Sequence, residues 1–552
     1  MPDVRPLGNP LPSTATPGDT NAASVGPVAG ATSTLAGALE LSCRRWPDNV
    51  ALSGAGDSLT YDQLWKAATN LGEAYRDLGI KQGDRVIGAA PNSRELVVAM
   101  AAAWLSGVVH VGVSRDLTAP ELESLFRRTE ASAILQSDWN RGRARGSAAL
   151  GETPVDVARS GVVLSTLGPG GKVHGEVLVG RLLSQAGGSA DVASKGYRPQ
   201  PQDPATIFFT SGTTGSGQAK GPIGHHGPLC ETWQWLAEAL GCGPDDVHLG
   251  QLPLAVGFGV MMAAVALFTG GCLRLMDRFS PATALRVIDE ENVTVLNGIP
   301  THFRLLLREM QGRPIGATSV RRGVGTGAAF APGLIDQIES RLGLRLMLLY
   351  GSPELQYVCT NDRQDVRRGA MGRPKNDDVI ILGDDGVRLR AGEEGEIAFR
   401  VKTPVRYWRE EKTLKPGELY LTGDLGLIKE DGCLYLADRY KHQVNRSGFR
   451  VDIAEVEGRL YGCPGVADAG VIGRPDSILG ERVCACIVPS SQTATPNLEQ
   501  VRGYLASHLA RYKLPEELCV VPHIPRTGGG SIDRESLRAL CDSLSRQSVP
   551  KR

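Results

Sequence analysis

Helix-like and strand-like segments alternate along most of this sequence, and this alternation restricts the possible folds more than any other feature. The spacing of hydrophobic residues predicts helices over 65–78, 94–105 and 119–128, and strands over 85–89 and 108–113. Strands that alternate with helices form largely parallel sheets covered by those helices. We therefore predict an α/β fold, with a large N-terminal domain of mixed, largely parallel sheets.

The rest of the chain departs from this pattern in three places. The glycine- and serine-rich interval 140–200 predicts a loop-heavy connection. Residues 1–34 contain no aromatic residue and too little apolar surface to offset chain entropy, which predicts a disordered arm. Beyond Tyr440, short strands and one helix predict a small, mobile α+β domain. The expected division is an arm over 1–34, an N-terminal domain over 35–440 and a C-terminal domain over 441–546.

Composition excludes several classes of protein. Sixty Lys and Arg residues balance 60 Asp and Glu residues, which argues against bulk electrostatic binding of nucleic acid or anionic membranes. The 11 cysteines include no CxxC pair, so we expect reduced thiols and neither a zinc nor a disulfide framework. Neither a transmembrane run of about 18 apolar residues nor a secretory signal is found, so we expect a cytoplasmic protein.

The strongest local signal follows an apolar strand at 206–209. A loop dense in glycine and hydroxyl groups comes next, and Lys220 closes it. Successive backbone N–H groups and hydroxyls in such a loop can hold phosphate oxygens. The order of a Walker A loop, GxxxxGK followed by Ser or Thr, is absent. The alternative is a glycine-rich turn without a ligand.

With this loop and other motifs in order, the sequence resembles the adenylate-forming (ANL) superfamily of acyl-CoA ligases, peptide-synthetase adenylation domains and luciferases. The resemblance runs over about 35–540, and its motifs lie at 59–64, 210–221, 325–329, 350–354, 420–424 and 439–457.

The resemblance implies a site for AMP or an acyl-adenylate. Asp424 would accept hydrogen bonds from both ribose hydroxyls, and Arg439 would donate to the ribose or the phosphate. Tyr350 would stack on adenine, and Glu354 would contact the Mg²⁺ that accompanies ATP. Taken singly, Asp424 is more typical of a turn aspartate, and Arg439 is more typical of a surface arginine. The full implied set is Thr210, Ser211, Gly212, Thr213, Thr214, Lys220, Gly325, Gly327, Ala328, Tyr350, Gly351, Glu354, Asp424 and Arg439.

The resemblance also implies that the C-terminal domain alternates between two orientations about a hinge at Lys441. One orientation would support adenylation. The other would open a tunnel for the pantetheine arm of CoA, with Gly448 at its wall, where a side chain would block the thiol. The alternative for Gly448 is an ordinary turn at a strand end.

The chain departs from the family pattern at positions that handle ATP. Ser531 occupies the position of the lysine that joins the substrate carboxylate to the α-phosphate. Pro353 replaces a threonine, and two additional residues lie between Gly215 and Lys220. Arg526 and Arg534 are the nearest cations in sequence, but a guanidinium is broader than an ammonium group.

These departures predict a ligase that uses an adenylate better than it makes one. We expect acyl transfer from acyl-AMP to CoA, with ATP and Mg²⁺ bound but poorly used. A separate adenylating ligase is then an expected partner. The pattern is similar to non-adenylating acyl-CoA ligases of platensimycin and platencin biosynthesis. The alternatives are a complete ATP-dependent acyl-CoA synthetase, an acyl-AMP ligase or amide synthetase, and an inactive ligand-binding homologue.

The acyl group is predicted only coarsely. Residues 255–262 carry no charge, which argues against an amino-acid substrate. Val256, Gly257, Phe258 and Met261 would suit a bulky apolar acid. The alternative is that these residues belong to the core of a helix.

Overall fold

The computed structural model describes most of the chain between Ser33 and Gln547. The described residues are 33–54, 57–114, 119–137, 162–167, 173–179, 197–209, 221–310, 318–327, 330, 332–352, 354–355, 359–360, 369–374, 378–383, 385–410, 413–439, 443–446, 449–476, 480–491, 495–509, 513–527 and 532–547. Within these ranges, no helix has both the length and the apolar character needed to cross a bilayer. Helices and strands are numbered in chain order.

Local sequence explains where several helices begin. The helices are α1 (Leu35–Arg45), α2 (Tyr61–Asp77), α3 (Arg94–Ser106), α4 (Ala119–Thr129), α5 (His226–Leu240), α6 (Gly257–Phe268), α7 (Pro281–Glu290), α8 (Pro300–Glu309), α9 (Pro332–Leu342), α10 (Ile453–Leu460), α11 (Leu498–Ala506) and α12 (Arg534–Gln547). Thr60 and Asn497 form capping boxes at the starts of α2 and α11, which satisfy backbone N–H groups there. Helix α3 is buried along its whole length from Leu96 to Trp104, because it is apolar on every side.

The first sheet has seven strands in the order β7-β6-β5-β3-β4-β8-β9. They are β3 (Arg85–Ala89), β4 (Val109–Gly112), β5 (Ala133–Ser137), β6 (Val162–Leu167), β7 (Val173–Leu178), β8 (Pro204–Phe208) and β9 (Ile223–His225). Strands β3, β4, β5 and β8 are parallel, and antiparallel strands flank them on both sides. The glycine- and hydroxyl-rich segment therefore follows β8, the last of the parallel strands, which lies next to the edge strand β9.

Two further groups of strands form a second layer. One has the order β10-β11-β1-β2 and the other β12-β13-β14-β15. They are β1 (Val50–Ser53), β2 (Ser58–Thr60), β10 (Val247–Gly250), β11 (Cys272–Leu275), β12 (Arg322–Gly325), β13 (Arg345–Tyr350), β14 (Cys359–Thr360) and β15 (Arg373–Pro374). Val295 joins the groups, because it makes parallel bridges to His248 on β10 and to Arg322 on β12. Helices α3 and α5 meet through Trp104 and Trp233, whose rings lie 6.1 Å apart in the largest core.

The later strands form small, mainly antiparallel sheets. The order β16-β17-β20-β21 is followed by a C-terminal sheet in which β25 pairs with β22, β24 and β26. The strands are β16 (Val379–Leu382), β17 (Gly395–Arg400), β18 (Val405–Arg406), β19 (Thr413–Leu414), β20 (Leu419–Ile428), β21 (Leu434–Arg439), β22 (Gln443–Arg446), β23 (Phe449–Asp452), β24 (Val466–Asp476), β25 (Gly480–Pro489) and β26 (Glu517–Val520). Helices α10, α11 and α12 accompany the C-terminal sheet.

The predicted α/β fold class is confirmed, with a large N-terminal part and a small C-terminal α+β part. The predicted strand over 85–89 coincides with β3, and the predicted helix over 94–105 ends one residue before α3 does. The expectation of a loop-heavy connection over 140–200 is wrong in part. Strands β6 and β7 lie in it and extend the edge of the first sheet by antiparallel backbone pairing with β5 and with each other. The expected arm over 1–34 lies almost wholly outside the described residues.

Candidate active site

The carboxyl ends of several parallel strands in the second layer meet at one edge. Strands β10, β12 and β13 end at Gly250, Gly325 and Tyr350, and Gly298 bridges to Gly325 between them. In α/β folds, ligands bind outside the carboxyl ends of parallel strands. This edge is therefore the candidate site, and it contains several of the residues that the motifs indicated.

Two asparagines hold the backbone at this edge, and the sequence analysis missed both. Asn92 donates to the carbonyl oxygens of Gly250 and Leu252 at 3.1 and 2.8 Å and accepts from the Leu254 N–H at 3.0 Å. Asn297 is buried, and its side-chain oxygen accepts from the Val324 N–H at 3.0 Å. The sequence Pro91-Asn92-Ser93 before α3 was the available signal for Asn92.

Tyr350 and Asp424 meet at the site. The Tyr350 hydroxyl donates to Oδ2 of Asp424 at 2.7 Å, and Tyr350 is only 8% exposed. Asp424 lies on β20 after Gly423, whose φ of +71° favours glycine. The hydrogen bond therefore orients the carboxylate that was predicted to accept from a ribose.

Asp424 and Arg439 are register partners on the antiparallel strands β20 and β21. Residues paired in this way have Cβ atoms about 5 Å apart. Two positions that are 15 residues apart in the sequence are thus adjacent in the sheet. This adjacency is compatible with the predicted shared contact to a ribose or phosphate.

Glu354 is surrounded by tyrosine hydroxyls. The Tyr407 hydroxyl donates to Oε1 of Glu354 at 3.3 Å. Burial first, and then the negative charge of Glu354, raises the pKa of Tyr407 and of Tyr420. Both phenols therefore stay protonated and can donate hydrogen bonds. Tyr420 begins the motif at 420–424 but was not predicted as a site residue, and Tyr407 lies outside the predicted motifs.

Glu354 is the predicted contact of Mg²⁺. Among the described residues, no group of three or more His, Cys, Asp or Glu side chains is arranged to hold a metal ion. A lone carboxylate still fits Mg²⁺, which commonly completes its coordination with waters and substrate phosphates.

The two glycines predicted to lie against adenine have local structural reasons. A Cβ atom on Gly325 would lie 2.7 Å from the ring of Phe330. Gly327 has a φ of +83°, and a Cβ atom there would approach Ile299 to 2.9 Å. Larger residues are thus disfavoured at both positions by the protein itself, and adenine contact stays a prediction.

The predicted acyl-pocket residues lie at the start of α6 and in the core. Val256 precedes α6, and Gly257 and Phe258 begin it, all three half-buried. Met261 lies inside the largest hydrophobic core, 7% exposed, so the helix-core alternative describes its surroundings. The role of these four residues in binding an acyl group stays a prediction.

A hairpin of the C-terminal part contacts the N-terminal part beside the site. Arg526 and Ile532 form an antiparallel bridge at the base of this hairpin. Arg526 donates to the Thr301 hydroxyl at 3.1 Å, and Thr301 lies in the first turn of α8. The guanidinium of Arg304 lies 4.3 Å from the ring centroid of Tyr461, which adds a cation–π contact.

Arg526 and Arg534, the cations nearest to residue 531 in the sequence, each pair with a carboxylate of the C-terminal part. Arg526 donates to both oxygens of Asp468 at 2.8 Å. Burial lowers the pKa of Arg526, but the charge of Asp468 and these hydrogen bonds outweigh burial, so the pKa of Arg526 is raised. Arg534 pairs with Glu457 at 2.5 Å and donates to the carbonyl oxygen of Val471 at 2.7 Å. Both guanidinium groups are therefore held by ion pairs in this structure.

Several predicted site residues lie outside the described residues. They are Thr210, Ser211, Gly212, Thr213, Thr214, Lys220, Ala328, Lys441, Gly448 and Ser531. Gly351 is described and exposed at the end of β13.

Comparison with known proteins identifies the family. The sequence pattern of the AMP-binding enzymes matches residues 39–406, and that of the AMP-binding enzyme C-terminal domain matches residues 455–530. The chain belongs to the AMP-binding enzyme family. This places it in the ANL superfamily, and acyl-CoA ligases are among its homologues.

Three relatives are similar over nearly their whole length. Triostin synthetase I of Streptomyces triostinicus is 31% identical over 92% of this chain and 94% of its own. A Mycobacterium tuberculosis CoA ligase for a methyl-dioxo-octahydroindenyl propanoate is 31% identical over 92% of this chain and 99% of its own. The crystal structure of ATP-bound MatB from Rhodopseudomonas palustris superposes with a TM-score of 0.73 at 27% identity, covering 91% of this chain and 98% of that one.

Proposed function

We propose that this chain catalyses the second half of the acyl-CoA ligase reaction, the transfer of an acyl group from acyl-AMP to CoA. One observation carries the proposal: Ser531 replaces the lysine, and the two nearest arginines are paired with Asp468 and Glu457. Losing one well-placed electrostatic group costs on the order of 10²–10³ in rate. The adenylation half-reaction would lose this group, whereas thiol transfer would not use it.

The residues that would hold the adenylate also support a role in acyl transfer and not in adenylation. Asp424 is oriented by Tyr350 and is the register partner of Arg439 on the adjacent strand. In the proposed step, the CoA sulfur forms a bond to the acyl carbon while the carbon–oxygen bond to AMP breaks. The thiol proton passes to solvent, and AMP departs with the electron pair. Binding both substrates replaces a bimolecular encounter by a positioned one.

The proposal includes the domain movement inferred from the family resemblance. Lys441 would be the hinge between domains at 35–440 and 441–546, and Gly448 would line the pantetheine tunnel. A separate ligase would supply the acyl-AMP. We propose a bulky apolar acid, supported by the uncharged start of α6 and by the bicyclic acid named for the M. tuberculosis relative.

The second candidate is a complete ATP-dependent acyl-CoA synthetase. Membership of the AMP-binding family and the similarity to an ATP-bound enzyme favour it. In that case Glu354 would bind the Mg²⁺ of ATP, and a group other than lysine would bring the substrate carboxylate and the α-phosphate together.

Two parallel reactions separate the candidates. One contains synthetic acyl-AMP of a ring-bearing acid with CoA, and the other contains the free acid, ATP-Mg²⁺ and CoA. We expect thioester from the first mixture and at least about 100-fold slower formation from the second. Comparable rates would reject the proposal, and no product from either mixture would reject both candidates.

Restoring the lysine provides an independent test. Ser531→Lys should increase pyrophosphate exchange with ATP, whereas Ser543→Lys adds the same charge on the exposed side of α12 and should not. Equal exchange in both variants would contradict the role assigned to residue 531. Carrier protein and amines, offered in place of CoA, test the acyl-AMP ligase and amide synthetase alternatives.

A further inference from the structure

A small cavity lies between helix α6 and the strands β10 and β11. Two polar residues, His248 and Asn297, line it, and its remaining walls are glycines and apolar residues such as Met262 of α6 and Leu273 of β11. Its free space is about 10 Å³, which is enough for one group of the size of a water molecule. The cavity can therefore take a single polar substituent of a larger ligand.

The register of the second layer places the His248 ring on the side of this cavity. His248 is the register partner of Leu273 on the parallel strand β11. The side chains of such partners lie on the same face of a sheet. Leu273 packs in one hydrophobic core with residues of α6. The His248 ring therefore lies on the face that α6 covers, and the residue is only 1% exposed.

The His248 ring is buried without a hydrogen bond. Neither of its nitrogens has a partner among the residues that the structure describes. Buried polar side chains are normally hydrogen-bonded, because an unpaired one loses its interaction with water and gains nothing in return. Burial lowers the pKa of His248 to about 4, so the ring is neutral and offers one N–H donor and one acceptor nitrogen. These properties suit a neutral group that contains oxygen, whereas a charged group would lose its hydration there.

The cavity adjoins the candidate site. Gly250 ends β10 at the edge of the site, and it lines the cavity together with Leu252 and Leu254. Gly259 of α6 lines it as well, two residues after the predicted acyl-pocket residue Gly257. An acyl group bound at the start of α6 would thus lie next to the cavity.

We propose that His248 determines which acids this chain accepts, by hydrogen-bonding a ketone or hydroxyl oxygen on the ring system of the acyl group. The inference rests on the proposed function, which places a bulky acyl group at the start of α6. A ketone would accept from the imidazole N–H, and a hydroxyl can also donate to the other ring nitrogen. Asn297 is less suitable, because its side-chain oxygen already accepts from the Val324 N–H at 3.0 Å. An acid without such an oxygen would leave the imidazole unpaired and should bind more weakly.

The test measures binding to the full chain by isothermal titration calorimetry. The ligands are acyl sulfamoyladenosines, which resemble acyl-AMP but do not react, so the measurement is independent of turnover. One carries cyclohexylpropanoic acid, and two others carry its ring ketones, with the carbonyl either opposite the chain or one position nearer to it. We expect one of the two ketones to bind at least about tenfold more tightly than the hydrocarbon.

Substitutions assign this preference to His248. His248→Leu removes both ring nitrogens and should reduce the preference to less than about twofold. His110→Leu is the matched control, because His110 on β4 is also buried, has an unpartnered ring nitrogen within the described part of the chain, and has a pKa lowered by burial to about 4. His110 belongs to the first sheet and does not line the cavity, so the preference should persist in this variant. If His248→Leu does not fold, as judged by circular dichroism, His248→Phe replaces it, because it keeps a ring but lacks both nitrogens.

Two results would overturn the inference and leave the proposed function intact. One is equal affinity of the unmodified chain for all three analogues, which would assign the cavity to a water molecule. The other is a ketone preference that persists in His248→Leu or His248→Phe. If the unmodified chain binds none of the analogues, both the inference and the proposed adenylate site are rejected.

Discussion

Tyr350 donates a hydrogen bond to Asp424 at 2.7 Å, so Tyr350→Phe removes one donor from the predicted ribose-binding carboxylate. The ring, which packs 6.2 Å from Phe399, would remain in place. The substitution therefore separates the hydroxyl from any stacking of the ring on adenine. It tests whether the orientation of Asp424 contributes to the binding of AMP or an acyl-adenylate.

The structure sets the expected size of the effect. A hydrogen bond to a charged group contributes about 1.5–3 kcal/mol. Asp424 is only half-buried, so water can replace part of the lost bond. We therefore expect AMP or a non-hydrolysable acyl-adenylate analogue to bind more weakly by about 1–2 kcal/mol, a factor of about 5–30.

Isothermal titration calorimetry with the analogue measures this affinity, and thermal unfolding verifies that the variant is folded. Tyr435→Phe is the matched control, because the Tyr435 hydroxyl also donates to an aspartate, Asp431, at 3.2 Å on a neighbouring strand. The control should change affinity by less than about twofold. Equal losses in both variants, or no loss in Tyr350→Phe, would refute the reasoning.

Three further predictions concern stability. Asp468→Ala leaves Arg526 without its carboxylate, and urea unfolding should detect a loss of about 2 kcal/mol; an unchanged midpoint would show that the pair contributes nothing. Gly323→Ala would place a Cβ atom 1.9 Å from a backbone carbonyl oxygen and should prevent normal folding. In the control Gly333→Ala, the new Cβ atom meets no atom within 4 Å, so the substitution should be tolerated. The yield of soluble protein measures the difference, and equal yields would contradict the prediction. Burial lowers the pKa of His248 from 6.5 to about 4, so unfolding takes up a proton and stability should fall as the pH drops from about 6.5 to 4. His248→Leu should flatten this slope, and an unaltered slope would contradict the assignment.

The contact between the hairpin and α8 bears on the proposal that another ligase carries out adenylation and this chain carries out acyl transfer. Arg526 connects Thr301 with Asp468, and Arg304 stacks on Tyr461 beside it. Burial lowers the pKa of Arg304, although the charges of Tyr461 and Glu457 oppose this. The bridge between Arg526 and Ile532 therefore lies beside α8, next to the candidate site.

The sequence motifs predicted part of the site, because residues a few positions apart in one motif stay close together in the fold. Tyr350 and Glu354 belong to one motif, and Gly423 and Asp424 to another, and the structure brings both motifs to one edge. Asn92 was missed because its partners lie about 160 residues further along the chain. Its contribution is a set of backbone contacts, which leave no periodic pattern in the sequence.

The sequence by itself determined the fold class, several helices and strands of the N-terminal part, and the resemblance to the family. Hydrophobic spacing and the local chemistry of glycine, hydroxyl and carboxylate residues are properties of neighbouring positions, so they can be deduced without a structure. Only the tertiary structure decided that Arg526 and Arg534 are paired, and that Cys486 and Cys541, which are distant in sequence, are in contact. Such pairings depend on which strands and helices pack together, and no local pattern encodes that choice.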